Sequence, residues 1–129
     1  MIFGIGTDMI EVERVAEKIG KNAGFKELVF SQKEIIYCEA KTNKYEHYAA
    51  RFAAKEAFFK ALGTGWKNGT AFNEIEILND EMGKPAISFL GETALSVAAM
   101  NLGKIAVSIS HLKTIAVAFV IIENERCNF

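Results

Sequence analysis

Two charged side chains, Glu56 and Lys60, occupy one face of a predicted helix that is otherwise strongly apolar. The segment 51–65 reads Arg-Phe-Ala-Ala-Lys-Glu-Ala-Phe-Phe-Lys-Ala-Leu-Gly-Thr-Gly. At about 3.6 residues per turn, Phe52, Glu56 and Lys60 form one i, i+4 row. Charges held in an apolar stripe need a partner such as a metal ion or an anionic ligand, which indicates a functional pocket. The alternative is a surface pair that stabilises the helix by about 0.2–0.5 kcal/mol.

A second carboxylate, Asp8, lies in an N-terminal run with the composition of a strand. The alternation of residues 1–10 places Gly4, Gly6 and Asp8 on one face. Glycine inside a strand indicates the close approach of a ligand or of another backbone. Together, Asp8 and Glu56 suggest a divalent cation held by oxygen ligands. Mg²⁺ typically takes one or two protein carboxylates and completes its shell with water and substrate phosphate. The alternative is that Asp8 belongs to a turn or caps the following helix.

Three segments, in this order along the chain, resemble one known family. They are Gly4-Ile-Gly-Thr-Asp8, the segment 51–65 and Ser108-Ile-Ser-His111. The family is the holo-[acyl-carrier-protein] synthases, the short, single-domain type of 4′-phosphopantetheinyl transferase. The resemblance implies transfer of phosphopantetheine from coenzyme A to a serine hydroxyl of apo acyl carrier protein, with magnesium, and release of adenosine 3′,5′-bisphosphate.

The charges then suggest a mechanism. We expect Asp8 and Glu56 to hold magnesium against the coenzyme A pyrophosphate, while Lys60 offsets the charge that builds on the phosphate and on the departing bisphosphate. The resemblance implies that the carrier serine is the nucleophile, so this chain needs no Ser-His-Asp or Cys-His arrangement of its own. Either Glu56 or a water molecule on the metal could remove the serine proton, and the sequence does not decide between them.

Arg51 and the Ser108–His111 motif are candidate contacts of coenzyme A. Arg51 is either a solvated residue at the edge of the helix or a bidentate phosphate clamp. A histidine at a strand end, such as His111, is usually structural or exposed. The resemblance implies instead that Ser110 and His111 contact the nucleotide portion of coenzyme A. Alternation along the strand places Ser108 and Ser110 on one face and His111 on the other.

The glycines after the long helix do not form a nucleotide-binding fingerprint. Gly63, Gly65 and Gly69 fit neither GxGxxG nor a Walker A motif, and they follow a helix where the first motif needs a strand. By itself the segment indicates a helix C-cap and a loop. The resemblance nevertheless places coenzyme A phosphates near this loop, so Gly63, Thr64 and Gly65 are further candidate contacts.

A basic stripe on the first predicted helix is a candidate docking surface. Arg14, Lys18 and Lys21 recur at i, i+4 and i+7 on one helix face. A charge run is usually only a solvated face. The resemblance implies that this helix, beside the metal site, docks the acidic acyl carrier protein, and a local basic stripe on a nearly neutral chain fits that task.

Length and composition limit the remaining possibilities. The 129 residues are half hydrophobic, and Lys and Arg total 15 against 16 Asp and Glu, which excludes an electrostatic footprint for nucleic acid. We expect one ordered domain over 1–129. Cys38 and Cys127 lack metal-binding spacing and indicate reduced thiols in a cytoplasmic protein. The longest apolar run, 115–122, is far shorter than the roughly 20 residues that span a bilayer, so we expect no membrane association.

The periodicity predicts a mixed α+β fold, and the resemblance implies that an antiparallel sheet packs against a long helix. The predicted helices are 11–20, 31–41, 45–62 and 92–101, and the predicted strands are 2–9, 72–78, 85–90, 105–111 and 114–123. Ser31 and Glu34 indicate a capping box, Gly63 a helix C-cap, and the segment 83–85 a hairpin turn. His47 and Cys38 match no motif and are interpreted as structural.

The last predicted strand, 114–123, is apolar on both faces. It is therefore either central in the sheet or covered by another subunit, and we expect an oligomer. The resemblance makes this a homotrimer with active sites at the subunit interfaces. Two alternatives of other classes are a coenzyme A or nucleotide binding module without catalysis and a purely structural trimer. Neither would need both Asp8 and Glu56, which counts against each of them.

Overall fold

The computed structural model describes residues 1–63 and 69–125, and its elements confirm the α+β class. The strands are β1 Ile2–Glu11, β2 Ile75–Asn79, β3 Pro85–Phe89, β4 Leu102–His111 and β5 Ile115–Asn124. The helices are α1 Val12–Lys21, α2 Phe25–Val29, α3 Gln32–Glu39, α4 Lys44–Leu62 and α5 Gly91–Ala98. Among the described residues, no helix is long and apolar enough to cross a lipid bilayer.

An antiparallel sheet of three strands packs on α4. The strand order is β1-β5-β4, so the doubly apolar β5 is the central strand, which is one of the two alternatives that its composition allowed. Its inner face is buried through Ala116, Ala118, Val120 and Ile122. The strands β2 and β3 form a separate antiparallel pair. The expected packing of a long helix against an antiparallel sheet is therefore confirmed.

Local sequence signals explain several element ends. Ser31 and Glu34 form the predicted capping box, with each side chain accepting a hydrogen bond from the other residue's backbone N–H. Gly63 ends α4 with a φ of 79°, and its N–H donates to the carbonyls of the last turn. The turn between β2 and β3 closes through Gly83, whose N–H donates to the carbonyl of Asp80. These three predictions are confirmed.

Two stretches differ from the sequence-based expectation. The helix α2 was not predicted, because five residues are too short to show a helical period. The segment Phe72–Glu74, expected to begin a strand, is one turn of 3₁₀ helix that leads into β2. Its three residues, one apolar and two polar, are too few to distinguish a strand from a tight turn.

The glycines of β1 let the backbone of α4 lie directly on the sheet. A Cβ atom built on Gly4 would overlap the carbonyl oxygen of Ala61, and one built on Gly6 would overlap that of Ala57. Of the two explanations for these glycines, close approach of another backbone is the one that the structure shows. Because Asp8 follows Gly6 on the same face, this contact also fixes the distance between Asp8 and α4.

A buried ion pair holds the other side of α4. The side chains of Lys55 and Glu34 are completely buried, and Lys55 Nζ donates to Glu34 Oε1 at 2.7 Å and to the carbonyl oxygen of Phe72 at 2.7 Å. It also donates to the carbonyl of Ile75, while Glu34 Oε2 accepts the N–H of Ile77 at 2.9 Å. Burial lowers the pKa of Lys55, and the Glu34 carboxylate opposes that shift. These bonds join α4 to α3 and β2.

Replacing Gly6 by Ala should separate β1 from α4 and destabilise the fold. The added methyl group meets a backbone carbonyl that cannot move away by itself, so we expect a loss of at least about 1–3 kcal/mol in the free energy of unfolding. Gly20 is the matched control, since it lies in α1 with no other atom near its Cβ position. Gly20→Ala should be neutral or stabilising by up to about 1 kcal/mol. Urea unfolding of both variants measures the difference, and equal midpoints would contradict the close packing.

Replacing Lys55 by Met should leave the Glu34 carboxylate buried without its cation. We expect a loss of about 3–5 kcal/mol in the free energy of unfolding. The double variant Lys55→Met/Glu34→Gln should recover part of this loss, because the unpaired charge is gone. Lys33→Met, at an exposed position of the same helix as Glu34, is the control and should stay within about 0.5 kcal/mol of the parent. A cost for Lys55→Met no larger than that of the control would show that the pair is not structural.

Candidate functional site

The structure brings Asp8, Glu56 and Lys60 together between β1 and α4. Lys60 Nζ donates to Asp8 Oδ1 at 2.9 Å, with the lysine side chain 56% exposed and the aspartate side chain 17% exposed. Asp8 lies within β1 and makes no helix cap; the N-cap residue of α1 is Glu11, which has no side-chain cap bond. The capping alternative for Asp8 is therefore wrong. The two carboxylates, Asp8 and Glu56, are called the acidic pair below.

The two carboxylates of the acidic pair repel each other. Burial first, and then the negative charge of Asp8, raise the pKa of Glu56, whereas the positive charges of Lys60 and Lys18 act in the opposite direction. A divalent cation between two such carboxylates would relieve the repulsion. Among the described residues, no group of three or more His, Cys, Asp or Glu side chains could hold a metal ion. Two carboxylate oxygens fit Mg²⁺, which keeps several of its positions for water and substrate phosphate.

A separate cavity of about 190 Å³ lies where α4 meets β4 and the turn between β2 and β3. It is called the basic cavity below. Arg51 and His111, which the sequence predicted as coenzyme A contacts, line this cavity. A second histidine and residues of the β2–β3 hairpin also line it. The lining residues are His47, Ala50, Arg51, Asn79, Gly83, Pro85, Ile109 and His111.

Arg51 is buried in the wall of the basic cavity. It is only 2% exposed, its Nε donates to the carbonyl oxygen of Ile77 at 3.1 Å, and its guanidinium lies 4.3 Å from the ring centre of Tyr37. Its Nη2 atom is buried and has no hydrogen-bond acceptor among residues 1–63 and 69–125. The alternative of a solvated arginine is therefore wrong. A guanidinium fixed in place with a donor left over is arranged to bind an anion.

His111 ends β4 and faces the basic cavity from the opposite wall. Its Nδ1 lies 2.9 Å from Glu46 Oε1, and this contact, more than any other, lowers the pKa of Glu46. A carboxylate partner fixes the orientation of the ring and favours a proton on Nδ1. Among residues 1–63 and 69–125, no hydrogen bond engages the other ring nitrogen of His111, which leaves it for another partner.

The two groups lie on different sides of α4. Lys60 follows Arg51 by nine residues, which corresponds to about 180° around the helix axis and about 13 Å along it. Arg51 faces β2 through Ile77, whereas Lys60 faces β1 through Asp8. The structure therefore does not bring all the predicted site residues into one pocket of one chain.

Other predicted contacts lie away from the basic cavity. Ser110 is exposed on the outer face of the sheet, beside Val117 in the register, whereas the ring of His111 lies on the inner side. Gly63 is exposed at the end of α4, on the same helix as Lys60. Thr64 and Gly65 lie outside the described residues. The roles of these four residues in coenzyme A binding remain predictions.

The basic stripe on α1 is exposed. Arg14 Nε lies 3.8 Å from Glu11 Oε1, and both side chains are largely exposed. Lys18 Nζ lies 5.7 Å from the ring centre of Phe52 and contributes to the electrostatic environment of Glu56. Lys21 is exposed in the last turn of the helix. The stripe thus runs along α1 beside the acidic pair, and its role in docking remains a prediction.

Sequence reasoning missed His47, Asn79 and Pro85 in the basic cavity. His47 lies one helical turn before Arg51, and the i, i+4 spacing that identified Glu56 and Lys60 could have identified it. Nothing in the sequence signals the hairpin residues, because they reach the cavity only through tertiary packing. Cys38, interpreted as structural, is buried, and burial raises the pKa of its thiol to about 12, which makes it a poor nucleophile.

Comparison with known proteins shows one family throughout. The sequence profile of the 4′-phosphopantetheinyl transferase superfamily matches residues 4–120. The holo-[acyl-carrier-protein] synthase of Cytophaga hutchinsonii is 46% identical over 124 residues, which are 94% of this chain and 97% of the relative. The enzyme of the same name from Ruminiclostridium cellulolyticum is 48% identical over 121 residues, which are 92% of this chain and 90% of the relative.

Solved structures give the same result. The holo-[acyl-carrier-protein] synthase of Neisseria meningitidis superposes with a TM-score of 0.87 at 30% identity, covering 96% of this chain and all of that chain. The Bacillus anthracis enzyme, solved in complex with CoA (3′,5′-ADP), superposes with a TM-score of 0.79 at 35% identity, covering 97% of this chain and 99% of that one. With the paired carboxylates and the basic cavity in place, the chain belongs to the 4′-phosphopantetheinyl transferase superfamily and, within it, to the holo-[acyl-carrier-protein] synthase family.

Proposed function

We propose that this chain transfers the 4′-phosphopantetheine group from coenzyme A to a serine of apo acyl carrier protein and releases adenosine 3′,5′-bisphosphate. The observation that carries the proposal is the meeting of Asp8 and Glu56 beside Lys60, in a chain that aligns over nearly its full length with enzymes of this activity. Two carboxylates and a lysine suit a reaction on a pyrophosphate, where charge must be neutralised while one phosphate bond is exchanged for another.

Asp8 and Glu56 would hold Mg²⁺. When bound, this ion would neutralise the pyrophosphate oxygens of coenzyme A and stabilise the charge on the transferred group. The exposed ammonium of Lys60 would attract the same phosphates and offset the charge on the departing bisphosphate. Glu56, whose pKa is raised by burial and by Asp8, is a candidate acceptor for the serine proton, and a water molecule near the pair is the alternative.

Coenzyme A would use the basic cavity for its nucleotide portion. Arg51 offers a donor without an acceptor in the described part of the chain, and His111 has a ring nitrogen that Glu46 does not occupy. Both groups suit phosphate oxygens. The loop residues Gly63, Thr64 and Gly65, and Ser110 on the strand, are further proposed contacts.

The active site would be shared between subunits of a homotrimer. Two observations support this: the acidic pair and the basic cavity lie on different sides of α4, and the outer face of the sheet is apolar and open. Its exposed apolar side chains are Phe3, Ile5, Met9, Phe119 and Ile121. Monomeric proteins rarely leave such a contiguous patch uncovered. A neighbouring subunit seated near this face could bring its basic cavity, or Ser110, to the acidic pair.

The carrier protein would dock on the basic stripe of α1. Arg14, Lys18 and Lys21 present positive charge beside Glu56, and acidic partners are attracted to such a surface. We further propose that the protein works in the cytoplasm, where coenzyme A and carrier proteins are available. A coenzyme A binding module without catalysis is the alternative function. That module would use Arg51 and His111 but would have no use for two repelling carboxylates.

A mass spectrum of the carrier protein tests the proposed function. Incubation of apo acyl carrier protein with this chain, coenzyme A and Mg²⁺ should increase the carrier mass by about 340 Da, the phosphopantetheine residue attached by phosphoryl transfer. Asp8→Asn and Glu56→Gln should each reduce the rate by about a hundredfold or more. Glu92→Gln, which removes an exposed carboxylate of α5, is the control and should retain the parental rate. Full activity in EDTA, or in either variant of the acidic pair, would exclude the metal assignment.

Mixing two inactive variants tests the shared site. Asp8→Ala removes a ligand from the acidic pair and His111→Ala removes a contact from the basic cavity, so each variant should be inactive alone. If the site combines the two groups from different subunits, mixed trimers should recover part of the activity, because some interfaces pair an intact Asp8 with an intact His111. Native mass spectrometry confirms subunit exchange. No recovery despite exchange would show that the two residues act from one chain.

A further inference from the structure

We propose that His47 is a third cationic contact of the basic cavity and takes up a proton from solvent when a phosphate group binds there. The inference rests on the proposed function, since it assigns the phosphate-bearing nucleotide of that reaction to this cavity. The inference goes beyond the proposed function, because it makes the affinity for the nucleotide depend on pH through a residue that no motif identified.

The position of His47 is the first reason. It precedes Arg51 by one turn of α4, so both side chains lie on the same helix face and both line the cavity. Its ring centre is 5.1 Å from that of His111 and 5.6 Å from that of Tyr37, each in an edge arrangement. These are ring contacts. Among the described residues no hydrogen bond fixes either nitrogen of His47, so the nitrogens are free to bind a ligand.

Arg51 gives the second, independent reason to expect an anion here. A buried charged group with an unpaired donor costs free energy that an incoming anion would recover. The cavity volume of about 190 Å³ corresponds to several water molecules at about 30 Å³ each, which leaves room for a phosphate group. The cavity therefore has the donor and the size for an anion before His47 is considered.

The charges around His47 are mostly positive. Burial lowers its pKa most, and the neighbouring charges of His111, Arg51 and Lys41 lower it further, while Glu46 alone among the contributing groups raises it. The titratable groups that face it come from α3, from α4, from the segment between them and from β4. They are Tyr37, Lys41, Glu46, Arg51 and His111.

An anion would reverse this balance. Two negative charges on a phosphate group favour the protonated imidazole and supply an acceptor for its N–H. The pKa of His47 should therefore be higher with the anion bound than without it. By linkage, the affinity contributed by His47 is fully present below the pKa of the free protein and is lost as the pH rises through the pKa of the complex. A doubly charged phosphate should gain more from this contact than a singly charged group.

The alternative is that His47 only packs between Tyr37 and His111. An aromatic ring without a titratable nitrogen would then pack equally well between Tyr37 and His111. The two interpretations differ in one measurable quantity, the change in the pKa of His47 on ligand binding. The chain has two histidines, so their NMR signals can be assigned with one variant of each.

The experiment is an NMR pH titration of the imidazole nitrogens, with and without saturating adenosine 3′,5′-bisphosphate, on the intact protein. We expect the pKa of His47 to lie below 6.5 in the free protein, its ordinary value, and to rise by about one pH unit with the bisphosphate but not with adenosine. In calorimetry, the bisphosphate should bind up to about tenfold more tightly to the parent than to His47→Phe at pH 5.5, with little difference at pH 8.5. His47→Gln, of similar polarity, should behave as His47→Phe does.

Three results would overturn or separate the proposals. Binding of the bisphosphate without a change in the pKa of His47 would overturn this inference and leave the proposed function intact. Equal pH dependence of affinity in the parent and in both variants would do the same. A shift in the pKa of His47 without any mass increase on the carrier protein would sustain the inference and refute the proposed function. If the bisphosphate does not bind at any pH, both are wrong.

Discussion

The close approach of α4 to β1 is the constraint on which the candidate site depends. Gly4 and Gly6 remove two side chains from the inner face of the strand, so that carbonyl oxygens of the helix lie where Cβ atoms would otherwise be. The next inward residue is Asp8, which consequently reaches Lys60 at 2.9 Å. A wider spacing would leave the carboxylate and the helix charges too far apart to share a cation or a pyrophosphate. Glycine in this strand is thus a requirement of the packing, and in the proposed mechanism it would be a requirement of the chemistry as well.

The rotation of α4 about its own axis must also be fixed if its side chains are to stay in the candidate site. Contacts on the opposite side of α4 fix it. Lys55 binds Glu34 and two backbone carbonyls, and Arg51 binds the carbonyl of Ile77. Both side chains belong to the i, i+4 row that begins at His47. Because the row is anchored to α3 and β2 by charged hydrogen bonds, a rotation of the helix that moved Glu56 would break several of them. Burial of these charges is tolerable because Lys55 Nζ and Arg51 Nε have acceptors, and among the described residues Arg51 Nη2 is the one buried side-chain nitrogen or oxygen without a partner.

Much of the fold and part of the candidate site could be predicted from the sequence. The other parts could not, for physical reasons. The α+β class, the bounds of α4 within one residue and the capping box at Ser31 follow from periodicity and capping rules, which are local. The two apolar faces of β5 allowed a central position in the sheet or cover by another subunit, and periodicity alone does not choose between them. The row Phe52, Glu56 and Lys60 was recognised because its charges interrupt an apolar stripe. The row of His47, Arg51 and Lys55 was not, since a line of basic residues looks the same whether it faces water or is buried. Only tertiary packing distinguishes the two, and it also brings Asn79 and Pro85 to the cavity.

The division of charge on α4 bears on how the enzyme would assemble. A helix about 10–12 Å in diameter with its side chains separates the acidic pair from the basic cavity. Another copy of the chain placed on the apolar outer face of the sheet would bury Phe3, Ile5 and Phe119. The same copy would also supply the half of the site that one chain does not bring to the acidic pair. Stability and catalysis would then depend on one interface. That coupling would explain why so small a chain keeps an open apolar face and splits its charged residues between two sides of one helix.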